Sequence, residues 1–203
     1  MHPLISHTCE SFAVIILAAG SSSRLGSPKQ LLVYSDKTLL QTCIDNAKQI
    51  NANPVILVLG ANKNLIEDHT DTNGVIVTEN DNWKNGIASS ITVALSALYN
   101  TFPDTDCIIL MVCDQPFADS TILNKLLLKQ KETGKPIVAC KYEGTKGTPA
   151  LFHRSLFHEL AALKGDSGAK VILTKYENES AYISFKAGGI DIDTVEDYKN
   201  LSK

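Results

Sequence analysis

Residues 13–32 read Ala13-Val-Ile-Ile-Leu17-Ala-Ala-Gly20-Ser-Ser-Ser-Arg24-Leu-Gly26-Ser-Pro28-Lys29-Gln-Leu-Leu32. The first five residues form an unbroken apolar run rich in β-branched side chains. A parallel strand covered on both faces requires such a run. It then gives way to glycine and serine, with one arginine and one lysine embedded among them. Glycines let backbone N–H groups approach an anion closely, serines add donors, and Arg24 and Lys29 add charge. Ligands of open α/β sheets bind beyond the carboxyl ends of the strands, so this loop is a candidate phosphate site. It is not a P-loop, because five residues separate Gly20 from Gly26 and Lys29 does not follow the second glycine. The dinucleotide pattern Gly-x-Gly-x-x-Gly is also absent.

Working outward, similar apolar runs recur at Pro54–Leu59, Val75–Thr78, Cys107–Val112 and Pro136–Cys140. Segments of helical period lie between them, at Leu39–Ile50, Asn64–His69, Ile87–Tyr99 and Ser120–Lys131. Alternation of strand and helix predicts an α/β class, a Rossmann-like doubly wound and mostly parallel sheet. After Cys140 the rhythm changes. A glycine-containing loop (Glu143–Pro149) comes first, then two short helical stretches around Leu156–Leu163 and Ala169–Lys175. A last strand at Ala181–Ser184 precedes a terminal helix. No linker or repeat interrupts the chain, which predicts one domain over residues 1–203 with a variable cap near residues 140–180.

Composition sets the outer limits. The 203 residues are 44% hydrophobic and 20% charged, with 12 Gly and 7 Pro, which excludes disordered, collagen-like and coiled-coil classes. Net charge is −3, so neither nucleic acid nor a membrane surface is an expected partner. Five cysteines (Cys9, Cys43, Cys107, Cys113, Cys140) are scattered without a Cys-x-x-Cys pair and read as reduced thiols of a cytoplasmic protein. The run from Ala13 to Ala19 is too short for a signal peptide and follows Glu10 rather than a basic residue. No apolar run approaches the ~18–20 residues of a membrane span. His153 and His158 lack zinc-ligand spacing, and no Gly-x-Ser-x-Gly elbow is present.

Two further places carry chemistry. Asp114, in Cys113-Asp-Gln-Pro116, ends an apolar run and is placed to hold Mg²⁺ on phosphates, since Mg²⁺ takes one or two carboxylates plus phosphate oxygens and water. Asn82-Trp83-Lys-Asn-Gly86-Ile-Ala-Ser89-Ser90-Ile opens a helix with glycine and serine donors. Ser89 and Ser90 suit ribose or base contacts and equally suit helix capping, and Trp83 suits either the site or the core. Near the end, Asp191-Ile-Asp193-Thr-Val-Glu196-Asp197 offers either a second metal carboxylate or a cap for the last helix.

These strings together resemble one family. Leu17 to Lys29 follows the nucleotidyltransferase signature Leu-Ala-Ala/Gly-Gly-x-Ser-x-Arg-Met/Leu-Gly-x-x-Lys of molybdenum cofactor biosynthesis enzymes. Ala18-Ala19-Gly20, the trailing Pro28-Lys29-Gln30-Leu31-Leu32, Trp83-x-x-Gly86-x-x-Ser89-Ser90 and Cys113-Asp114-Gln115-Pro116 resemble the CTP:molybdopterin cytidylyltransferase branch of the MobA-like superfamily. Gly147-Thr148-Pro149-Ala-Leu-Phe152 and Gly165-Asp166-Ser-Gly168-Ala-Lys170 resemble its acceptor-side elements, although His and Arg are more usual where Thr148 and Lys170 stand. Val195 replaces a usual proline.

The resemblance implies a glycosyltransferase-A-like nucleotidyltransferase fold and transfer of CMP from CTP to molybdopterin with release of pyrophosphate. Arg24, Lys29 and Asp114 would be catalytic. Leu17, Ala18, Ala19, Gly20, Ser21, Ser22, Arg24, Lys29, Gly86, Ser89 and Ser90 would bind nucleotide. Gln115, Pro116, Gly147, Thr148, Pro149, Asp166, Gly168 and Lys170 would face the acceptor, while Asp114 and Asp193 would hold Mg²⁺. A GTP-using or sugar-phosphate relative and a non-catalytic carrier of the pterin are the alternatives. The implied partners are small nucleotide and pterin substrates, with a molybdenum hydroxylase of the xanthine dehydrogenase family as a transient one, and the chain is expected to be a monomer.

Overall fold

A computed structural model describes residues 7–201. Its first strand, β1 (Phe12–Leu17), is buried along almost its whole length. Alternate side chains leave a strand on opposite faces, and here both faces are covered. Val14 and Ile16 enter one hydrophobic cluster with Leu40, Ile44 and Leu123. Ala13, Ile15 and Leu17 enter another with Ile91, Leu95 and Leu160. The continuous apolar run is thus the direct requirement of a strand sandwiched between helix layers.

After β1 come a small hairpin, β2 (Val33–Tyr34) and β3 (Lys37–Thr38), then α1 (Leu39–Gln49), β4 (Val55–Leu59), α2 (Lys63–Glu67) and β5 (Ile76–Glu79). The hairpin turns through Ser35 and Asp36, both at positive φ, the backbone a two-residue turn of this kind needs. Next follow α3 (Ile87–Thr101), β6 (Cys107–Val112), α4 (Ser120–Thr133), β7 (Ile137–Tyr142), β8 (Thr145–His153), α5 (Phe157–Ala161), α6 (Lys170–Lys175), β9 (Ser180–Ser184) and α7 (Val195–Leu201). Thr38 and Asp119 cap α1 and α4 by accepting from the N–H of Gln41 and Ile122, which satisfies donors that a helix start otherwise leaves open.

The main sheet runs β5-β4-β1-β6-β8-β7-β9. Strand β1 pairs in parallel with β4 on one side and β6 on the other. The chain therefore winds outward from β1 in one direction and then returns to wind in the other. The carboxyl ends of β1 and β6 flank this reversal point, where such sheets bind ligands. The sheet is mostly parallel, as predicted, with one exception: β8 runs antiparallel to both β6 and β7.

Strand β8 corrects the sequence reading of Glu143–Pro149 as a loop. Only Glu143 and Gly144 form the turn, both at positive φ, and Thr145 already pairs with Tyr142. Thr148 and Pro149 fall where the β7–β8 register shifts, between Ala139 opposite Ala150 and Cys140 opposite Gly147. A proline, lacking an N–H, is tolerated at such an irregularity. A second correction concerns the cysteines. Cys9 and Cys107 form a disulfide, while Cys43, Cys113 and Cys140 are free and buried. Among the described residues, no helix is long and apolar enough to cross a membrane.

Phe152, at the inner end of β8, is 0% exposed among the residues between β6 and β7. Its truncation leaves a cavity in a close-packed layer. Phe152→Ala is expected to cost about 3–5 kcal/mol of folding stability, read from the shift in denaturant midpoint; a loss below about 1 kcal/mol would place the ring outside the core.

Candidate functional site

A cleft of about 280 Å³ opens at the carboxyl ends of β1 and β6. Leu17, Ala18, Ala19 and Gly20 supply one wall, Val112, Cys113 and Asp114 a second, and Trp83, Gly86, Ile87 and Ser90 a third; Lys29, Gln30 and Asp166 complete it. Most predicted nucleotide-binding residues thus converge on one cavity, although they come from distant parts of the chain.

The charged centre is built around Lys29. Its ammonium donates to Asp114 Oδ2 at 2.8 Å and to Asp193 Oδ1 at 2.6 Å. Arg24 Nη2 donates to the other oxygen of Asp193 at 3.2 Å. Burial alone would lower the Lys29 pKa, but the charges and hydrogen bonds of Asp114 and Asp193 outweigh it and hold the amine above its ordinary range. The Lys29 hydrogen bond, above all, keeps Asp193 below the usual carboxylate range. Asp191 behaves oppositely. Desolvation of its carboxyl, then the negative charge of Asp114, raises it to about 6, although the residue keeps exposed surface elsewhere.

Two carboxylates therefore meet at one cation-sized point, and Asp114 Oδ1 is buried without a hydrogen-bond partner. Mg²⁺ bound through two carboxylates and substrate phosphates would use such a set. No group of three or more metal-ligating side chains is present among the described residues, so a metal here would have to share its shell with ligand oxygens and water. Cys113 and Cys43 add no nucleophile, because burial drives both thiols upward, Cys43 to about 12.

The cleft wall at Gly86 and Ser90 is held by a residue that sequence reasoning did not single out. Asn80 is 1% exposed and donates from Nδ2 to both Ser89 Oγ and Ser90 Oγ, at 2.8 and 2.9 Å. Ser89 in turn donates within its own turn, to the carbonyls of Gly86 and Asn82. Ser89 thus braces the turn before α3, whose N-cap position is Gly86 with no side-chain cap, and Ser90 is the one that lines the cleft. Trp83 stands half-buried over Gly60, where an added Cβ would meet Trp83 Cβ and Ala19 O, each at 2.9 Å. Trp83 thus lines the cleft and also packs against the core.

A description of the MobA-like NTP transferase domain matches residues 14–180. The chain belongs to this family. It is accordingly an enzyme of the nucleotidyltransferase class. Among solved structures, Rv0371c from Mycobacterium tuberculosis H37Rv is 32% identical with a TM-score of 0.82, covering 96% of this chain and 98% of that one. A complex of Rv0371c with manganese has a TM-score of 0.76 at 30% identity, covering 94% and 97%. Molybdenum cofactor cytidylyltransferase of Escherichia coli K12 is 26% identical over 185 residues, 91% of this chain and 92% of its own. Nicotine blue oxidoreductase of Paenarthrobacter nicotinovorans is 27% identical over 198 residues, 92% and 94% respectively.

The remaining predicted residues of this MobA-like chain lie outside the cleft proper. Ser22, at φ 53, takes the Lys29 N–H on its Oγ at 2.9 Å, so it shapes the loop; Ser21 is half-buried beside it. Gln115 is buried and donates to Gly188 O at 2.8 Å, which makes it a brace. It belongs with Thr148 to a cluster around the Tyr142 hydroxyl, which burial raises and which fills the space beside Gly147. Pro116 and Pro149 flank this cluster in the chain. Lys170, with Gly168, borders a separate shallow hollow on the outer surface and does not reach the cleft. Before α7, Thr194 Oγ1 accepts from the Asp197 N–H and Asp197 Oδ2 accepts from the N–H groups of Asp193 and Thr194, so Thr194 supplies the cap and the Asp193 carboxylate is left to Lys29 and Arg24.

Gly86 fixes how the 165–166 turn meets the cleft. Its φ is +90, and an added Cβ would lie 2.3 Å from Gly165 O and 2.5 Å from Asp166 Oδ1. Gly86→Ala adds a backbone penalty of about 1–3 kcal/mol to this overlap. The expected result is a lower thermal midpoint and displacement of the 165–166 turn; an unchanged midpoint would show that the turn yields freely.

Proposed function

We propose that this protein transfers CMP from CTP to molybdopterin, in its molybdenum-loaded form, and releases pyrophosphate. The observation that carries the reading is the convergence of Lys29, Asp114 and Asp193 beside the Gly/Ser loop at the mouth of the cleft. The curated cytidylyltransferase relative supports the donor and acceptor, and the manganese complex of Rv0371c supports a divalent cation.

The Gly20 loop, with Arg24 and Lys29, would hold the triphosphate. Gly86 and Ser90 would meet the base and ribose. Because Asn80 donates to Ser90 Oγ, the serine hydroxyl is left to donate in turn, which suits an acceptor such as the O2 or N3 of cytosine. Asp114 and Asp193 would hold Mg²⁺, which when bound neutralises phosphate charge. The terminal phosphate of the pterin is already anionic, so no activating base is required. One of its oxygens forms a bond to the α-phosphorus, the bond from that phosphorus to the bridging oxygen breaks, and pyrophosphate leaves with the electron pair. The chain's contribution is in-line placement and positive charge. On this reading residues 1–203 act as one domain, a cytoplasmic monomer whose cap near residues 140–180 faces the acceptor.

Pyrophosphate release across CTP, GTP, ATP and UTP, with and without molybdopterin, tests the proposal. CTP with molybdopterin should be fastest, and CTP should raise the thermal midpoint most at equal concentration. A GTP preference would overturn the cytidylyl donor, and redox turnover without pyrophosphate release would move the chain toward the oxidoreductase relative. Asp114→Ala should slow release on the order of 10²-fold or more while the protein stays folded; an unaltered rate would remove Asp114 from the site.

A further inference from the structure

We infer that Gln30 is a positioning residue that orients the Gly20 loop so that its amide N–H groups face anionic phosphate; the inference rests on the nucleotide reading above. Gln30 is 1% exposed. Its Nε2 donates to Ala18 O at 2.6 Å and to Gly20 O at 3.1 Å. Both partners are carbonyl oxygens, which only accept, so the NH₂ end of the amide must be the one turned toward them. Its Oε1 accepts from the Ser22 hydroxyl at 3.5 Å, and Ser22 Oγ accepts the Lys29 N–H. The carbonyl between the two captured ones, Ala19 O, is taken by the Ala61 N–H at 3.0 Å.

Three consecutive carbonyls are therefore fixed. In a planar trans peptide the N–H points opposite the C=O of the same unit, so the N–H groups of Ala19, Gly20 and Ser21 are fixed as well. None of the three donates to an acceptor among the described residues. Ala19 is only 6% exposed and, with Gly20, lines the cleft. A buried backbone N–H such as that of Ala19 is almost always partnered, while Gly20 is exposed and Ser21 half-buried, so an anion in the cleft is the natural acceptor for the first and an accessible one for the other two. Without Gln30 the peptide planes at 18–19 and 20–21 would be free to rotate, and a rotated plane would offer a carbonyl oxygen to the phosphate in place of a donor.

The test separates this role from a merely structural one by using two halves of the ligand. Gln30→Met keeps the volume and removes the donors. Binding of inorganic tripolyphosphate and of cytidine is followed through Trp83, the single tryptophan of the chain, which lines the cleft. The expected result is at least a tenfold loss of tripolyphosphate affinity, a matching rise in KM for CTP, and cytidine affinity changed less than twofold. Equal tripolyphosphate affinity in both proteins, or equal losses for both ligands, would overturn the inference.

A measurement on the unaltered protein stands beside it in case the variant does not fold. Tripolyphosphate should shift the amide ¹⁵N–¹H resonances of Ala19, Gly20 and Ser21. If the unaltered protein binds CTP but these three amides do not move, the role of Gln30 falls alone. If it binds neither CTP nor tripolyphosphate, the nucleotide reading falls with it.

Discussion

Everything at the cleft hangs on the register between two neighbouring strands. Phe12 pairs with Cys107 and each following residue pairs in step, to Leu17 opposite Val112. Both strands run the same way and end at the same height, so the loops leaving them begin side by side. One loop carries Gly20, Arg24 and Lys29, and the other carries Asp114. Slipping the pair by a single residue would turn every buried side chain of β1 to the opposite helix layer, and the two clusters that cover the sheet hold it against that change.

Upon that frame, charge is balanced locally. Asp114 and Asp193 stand 79 residues apart in the chain and would repel one another if left unaccompanied. Lys29 bonds both of them and Arg24 bonds Asp193 a second time. Asp191 is excluded from this pairing, and desolvation first, then the negative charge of Asp114, raises its pKa. The C-terminal segment is thereby fastened to a loop near the other end of the chain, and α7 begins from the same residues.

Much of this was legible in the sequence, and the reasons differ by element. The central strands were readable because burial on both faces demands an uninterrupted apolar run. The loop after β1 was readable as a loop at the strand's carboxyl end because glycine and serine break the apolar run, and Gly20 and Lys29 do line the cleft. Strand β8 was not. Its first half, Thr145-Lys-Gly-Thr-Pro149, carries turn-forming residues, and only its place between β6 and β7 makes it a strand. Gln30 and Asn80 escaped for a related reason: their worth lies in which carbonyls and hydroxyls would otherwise lack partners, and local sequence does not reveal that. The Cys9–Cys107 pairing, across 98 positions, was likewise invisible to spacing.

The reversed strand also divides the sheet. On one side lie β5, β4, β1 and β6, which share a direction and carry the Gly20 loop, Asn80 and Asp114. On the other lie β7, entered from β6 through α4 and joined to β8 by the hairpin turn at Glu143–Gly144, and β9, which pairs with the far side of β7. Hairpin strands can lengthen, shorten or shift register at their open end without disturbing the parallel ladder behind them. The fold thus leaves one flank free to change in length while the other keeps its alignment.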